Sequence, residues 1–164
     1  MRIILSICLL LLFTVSCQES GRATTDSQQE QPFLQLTALP QRVPLNAKAS
    51  DLTKSWIEFN SLNTGFDALY TVENAEDLAL VLDDLVERQK LLEESAYPAA
   101  FDLPQVRGRQ RVMKTFILKT KAAVEYREDA TEPAIELINA YNAMRTQFNV
   151  LVNNTLDTQL LSDE

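Results

Sequence analysis

The chain has 164 residues, a formal net charge of −8 and no histidine. Its acidic balance argues against nucleic acid and against adhesion of the folded body to anionic lipid. The lack of histidine excludes Ser-His-Asp and Cys-His nucleophile systems, histidine-ligated zinc or haem, and the Glu-x-x-His di-iron motif of helical bundles. Glycine occurs only at Gly21, Gly65 and Gly108. Phosphate-cradling motifs such as GxGxxG and GxxxxGK[ST] are therefore missing, and so is a D-x-[DN]-x-[DN]-G calcium loop. The expectation is a non-enzymatic protein with no catalytic residue, no metal site and no cofactor.

The chain opens on MRIILSICLLLLF and continues as TVSCQES. Arg2 supplies a positive start, residues 3–13 are apolar apart from Ser6, and Thr14, Val15 and Ser16 are compact. A membrane-spanning helix needs about 18 apolar residues. This shorter run has the three-zone layout of a secretory signal. Thr14-Val15-Ser16-Cys17 resembles the lipobox of bacterial lipoproteins, with Ser16 at the small position and Thr14 where that family usually carries Leu. The resemblance implies a diacylglyceryl group on the Cys17 thiol, cleavage after residue 16, and acylation of the new amino group by a fatty acid such as palmitate. Cys8 follows the bulky Ile7 and does not fit. Gln18, where enterobacterial lipoproteins retained at the inner membrane carry Asp, implies the outer membrane of a Gram-negative cell, on its periplasmic face or its surface. Two or more acyl chains anchor stably. Cleavage would leave one cysteine, capped by lipid and unable to form a disulfide within the chain.

Residues 17–32 are polar and read as a disordered tether. Residues 33–49 are punctuated by Pro40 and Pro44, yet carry Phe33, Leu34, Leu36, Leu39, Val43 and Leu45. They read as an extended arm laid against the body. Residues 50–161 read as the helical domain.

Four helices are predicted there. The first spans about 50–62, with Ser50 as N-cap, a stripe of Leu52, Trp56, Phe59 and Leu62, and Asn63-Thr64-Gly65 as its stop. The second spans about 74–95, capped by Asn74, with Leu78, Val81, Leu82, Leu85 and Leu92 inward. The third begins after Asp102-Leu103-Pro104, Asp102 acting as cap and Pro104 just inside, and runs to about 128. Its inward residues are Val106, Met113, Phe116, Ile117, Thr120 and Val124. The fourth spans about 131–156 with a 4-3-4-3-4 seam of Leu137, Tyr141, Met144, Phe148, Leu151 and Thr155. Short connections favour antiparallel neighbours. The fold class is all-α: an up-down-up-down four-helix bundle, or a three-helix bundle with a helical arm.

Two features stand out as candidate sites. Residues 73–94 hold eight acids against Arg88 and Lys90, whereas residues 105–121 hold Arg107, Arg109, Arg111, Lys114, Lys119 and Lys121 with no acid. Pairing across the hairpin is one use of this contrast. An anion or acidic-partner site at Arg107, Arg109 and Arg111 is another, because cations oppose the dipole at a helix start while free N–H groups and arginine forks suit anions. The fourth helix carries a row of uncharged amides, Asn139, Asn142, Asn149 and Asn153, with Thr146. These form either a plain polar face or a hydrogen-bonding surface for an envelope protein or peptidoglycan. Function then reads as an accessory lipoprotein that contacts other envelope components. A small anion- or solute-binding bundle is the alternative. The sequence leaves the oligomeric state open.

Overall fold

The computed structural model describes residues 33–153. The leader, Cys17, the tether and the positions from 154 onward, including Thr155, lie outside the described residues. The described chain is all-helical, with five α-helices and no strand among the described residues. They are α1 (Ala47–Thr53), α2 (Ile57–Ala68), α3 (Ala75–Glu94), α4 (Pro104–Glu125) and α5 (Thr131–Asn153). A single 3₁₀ turn, Leu36–Ala38, precedes them.

The first predicted helix is in fact two. Asn46, not Ser50, caps α1, its side chain accepting from the Ala49 N–H at 2.8 Å. The chain then breaks at residues 54–56, where Trp56 turns its ring into the core and donates Nε1–H to Ser95 Oγ at 2.8 Å. The break changes the helical phase, so Leu52 is exposed instead of continuing the stripe of Phe59 and Leu62. Nor does α2 stop at Asn63-Thr64-Gly65. It runs on to Ala68 because Gly65 lets α3 approach: a Cβ there would lie 2.9 Å from Leu85 Cδ2. Phe66 beside it and Leu69 one turn on are fully buried.

The later helices agree better with the pattern. Asn74 caps α3 by accepting from Asp77 N–H at 2.8 Å. Leu103, not Asp102, occupies the N-cap of α4, with Pro104 just inside. The Asp102 carboxylate instead holds Arg107. At the other end of α4, Arg127 takes a left-handed φ of 57°. Arg127 and Glu128 then donate back to Val124 O and Ala123 O, at 3.0 and 2.8 Å. These two bonds form a Schellman closure in a position where glycine is usual.

Cross-links give the packing register. Arg88 of α3 donates to Ser61 O of α2 at 2.8 Å. Lys121 and Lys114 of α4 pair with Asp83 and Glu93 of α3 at 2.8 and 2.7 Å. Lys119 of α4 pairs with Glu136 of α5. Rising numbers on one helix meet falling numbers on the next in Asp83–Lys121 and Glu93–Lys114 across α3–α4 and in Ser61–Arg88 and Gly65–Leu85 across α2–α3, so these neighbours are antiparallel. Phe66 of α2 stacks on Tyr141 of α5 with centroids 3.8 Å apart, and Phe59 meets Phe148 edge-on at 5.4 Å. Trp56, Phe59, Phe101 and Phe148 form one aromatic cluster at the α3–α4 loop end. Each large side chain buried in this way contributes about 1.5–3 kcal/mol. No described helix is long and apolar enough to cross a membrane.

Candidate functional site

The amide row of α5 does its work on the arm. Asn142 Oδ1 accepts from Val43 N–H at 2.8 Å while its Nδ2 donates to Gln41 O at 2.9 Å. Two turns later Asn149 repeats the grip, accepting from Asn46 N–H at 2.8 Å and donating to Pro44 O at 2.9 Å. The periods match. Seven helical residues rise about 10.5 Å at 1.5 Å each, and three residues of polyproline-like chain rise about 9.3 Å. Each amide therefore brackets one arm residue and reads backbone alone. Asn153 Oδ1 receives Asn46 Nδ2 at 3.2 Å. At the other end Gln35 N–H reaches Thr131 Oγ1 at 2.9 Å, and Ala130 N–H reaches Phe33 O at 3.0 Å. The arm thus runs parallel to α5 along most of its described length, with Leu34 and Leu39 buried beneath it. Asn139 and Thr146 are exposed.

Beneath the arm lies a polar network that the sequence pattern does not announce. Arg145, only 9% exposed, donates Nε to Val43 O at 2.5 Å and Nη1 to Asn63 Oδ1 at 2.8 Å. The buried Tyr141 hydroxyl donates to the same Asn63 oxygen at 2.6 Å. Arg42 of the arm reaches Asn63 Oδ1 at 3.2 Å and pairs with Asp67. Tyr70 OH donates to Pro40 O at 2.7 Å. The arm is therefore fastened to α2 as well as to α5. Burial pushes the Tyr141 phenol above its ordinary pKa, against the opposing pull of the Arg145 charge. A cue existed in the sequence: amides at 142 and 149, seven apart, with an apolar, proline-broken stretch in need of partners for its carbonyls.

The arginine turn is dispersed. Arg107 pairs with Asp102 at 2.7 Å and lies 4.2 Å from the Tyr97 ring centroid. Asp102 raises its pKa further. Arg109 and Arg111 are both exposed. Position 109 lies about 200° around the helix from 107, so the three guanidinium groups do not share a face. Across the hairpin it is Lys114, not an arginine, that takes Glu93, and its hydrogen bond holds that carboxyl below its usual pKa. Tyr97 passes its hydroxyl to the buried Gln110, and burial pushes its pKa up to about 12. Two shallow recesses occur elsewhere. One of about 290 Å³ is lined by Ala68, Thr71, Val72, Asp77, Leu80 and Val81. The other, about 330 Å³, is lined by Lys48, Asp51, Leu52, Ala100 and Val152. None of the three arginines lines either. Among the described residues no group of three or more Cys, Asp or Glu side chains is placed to hold a metal ion.

No protein-family model matches the chain, and no curated protein and no solved structure proved similar to it.

Proposed function

We propose that this chain is a lipid-anchored, non-enzymatic interaction module of a Gram-negative cell envelope. In this reading the leader ends at residue 16 and Cys17 carries the lipid. Residues 17–32 span the gap to the body. The body is an up-down-up-down four-helix bundle of α2–α5, with α1 and the arm as an added strap. The antiparallel pairs and the Phe66–Tyr141 stack between α2 and α5 support that architecture over a three-helix bundle.

The observation that carries the proposal is the arm. It enters the body beside Ala130, at the α4–α5 loop end, and is fastened along α5 by paired side-chain-to-backbone bonds. A pull on the N-terminal side is then borne by the body along its long axis, as an anchored protein requires. The α3–α4 loop end, with exposed Arg109 and Arg111, faces away from that entry and would meet an acidic envelope partner. Asn139, Thr146 and the far side of Asn153 are available to the same partner. Peptidoglycan, or a small anion bound at the Arg107–Arg111 turn, remains the competing ligand.

The test uses the full chain in its native membranes. Cys17→Ala is expected to release the protein into the soluble fraction. Arg109→Glu with Arg111→Glu is expected to abolish crosslinks to the partner while leaving the chain membrane-bound and folded. Retention of Cys17→Ala in the membrane would refute the anchor, and unchanged crosslinks would refute the arginine surface.

A further inference from the structure

The recess of about 330 Å³ lies where α1, the α3–α4 loop and the end of α5 meet, with Leu52, Ala100 and Val152 as its apolar walls. Val152 is buried and Ala100 packs against the core. Leu52 is 41% exposed, because the helix break at residues 54–56 turns it out of the stripe of Phe59 and Leu62. The rim carries Lys48, which pairs with no acid among the described residues, and Asp51, which Lys54 already holds. The described chain ends at this spot. Asn153 closes α5 directly after Val152, and the sequence goes on as NTLDTQLLSDE, residues 154–164. That stretch contains Leu156, Leu160 and Leu161, together with Asp157, Asp163 and Glu164 and no cation. Val152, Leu156 and Leu160 follow at intervals of four, a spacing that keeps side chains along one helical face.

We infer that residues 154–164 of the same chain cover this recess, with Leu156 and Leu160 laid on Leu52 and Ala100. Reach, apolar surface and charge each favour that occupant. Four helical residues advance about 6 Å at 1.5 Å each, so one further turn carries Leu156 over the recess that Val152 borders. Joining Leu52 to the leucines of the segment removes apolar surface from water on both sides. Asp157 supplies a carboxylate for the Lys48 ammonium. The other recess does not suit the segment: Asp77 lines it, and it lies at the start of α3, about 30 Å along the bundle. Residues 17–32 do not suit this recess either. They hold no large apolar residue, and the arm they lead into joins the body beside Ala130, at the opposite end of α5. Covered in this way, α1 and the α3–α4 loop are tied to the end of α5, and the strap is fastened at both ends of the body.

The inference does not depend on the lipid reading. The experiment places Leu52→Cys in the full chain and follows its reaction with a maleimide, read at position 52 by peptide mapping so that the natural cysteines do not interfere. Adding Leu156→Asp with Leu160→Asp is expected to speed that reaction roughly tenfold, with cooperative melting retained. An unchanged rate would overturn the inference. Hydrogen exchange on the chain without the cysteine gives the second reading. The amides of residues 156–160 are expected to be protected, and Leu52→Asp should remove that protection. Exchange at the free-peptide rate in the parent chain would overturn the inference, as would protection that Leu52→Asp leaves intact. Protection of position 52 that fades on dilution would give the recess to a second copy, and protection seen in native membranes but lost in the purified chain would give it to a different protein. Either result would overturn it too.

Discussion

Helices α3 and α5 invert what their residue types suggest. Along α5, uncharged amides and an arginine are drawn inward: Asn142 and Arg145 are buried and grip the arm. Along α3, leucines are left outside, with Leu80 and Leu91 exposed among acids. The difference is supplied by the neighbour each helix has. The arm brings unpaired carbonyl and N–H groups to α5, and a buried backbone group needs a partner. Among the described residues nothing buries the outer side of α3, where Leu80 and Leu91 are exposed.

The contrast breaks most visibly at Arg145. Arg145→Ala removes donors from Val43 O and Asn63 Oδ1 and loosens the arm. The expected loss is about 2–4 kcal/mol, read from the urea midpoint. Next come Asn142→Ala and Asn149→Ala, each deleting two bonds and costing about 1–3 kcal/mol. Amide exchange gives them a signature: Val43 N–H should lose protection in the first variant and Asn46 N–H in the second.

Alkaline pH tests the buried phenols. Tyr97 ionises in the native state only at about 12, and Tyr141 is also raised, whereas an unfolded tyrosine ionises near about 10. Between those values the unfolded chain binds fewer protons than the native one, so stability falls as pH rises. The contribution is intact below about pH 10 and is lost toward about pH 12. Phenolate absorbance and circular dichroism should change together in that window. The smallest effect belongs to α3: Leu91→Ser should alter stability by no more than about 0.5 kcal/mol. A core leucine would cost several times more.

Much of this fold can be read from spacing. Leu78, Leu82, Leu85 and Leu92 on α3, and Leu137, Tyr141, Met144 and Phe148 on α5, are all inward as their 3-4 pattern dictates. The Asn74 cap and Pro104 follow from local chemistry alone. What was not legible depended on distant partners. Gly65 looks like a stop until Leu85 is brought against it. Trp56 looks like mid-helix until Ser95 takes its indole N–H. Asp102 looks like a cap until Arg107 draws it away. In the arginine turn, charge could be counted along the chain, but direction could not, because partners on neighbouring helices, 21 residues away for Lys114–Glu93 and 17 for Lys119–Glu136, choose which lysine meets which acid.

By itself the sequence determined an acidic, histidine-free, all-helical body and the inward faces of its long helices, since helical periodicity is a local property of the chain. The tertiary structure alone decided that Asn142 and Asn149 of α5 would hold the arm and that Leu80 and Leu91 of α3 would be exposed among the described residues. Burial is a property of what lies opposite a residue. A row of asparagines reads as a surface until a backbone segment some 100 residues earlier arrives with unpaired groups at matching intervals.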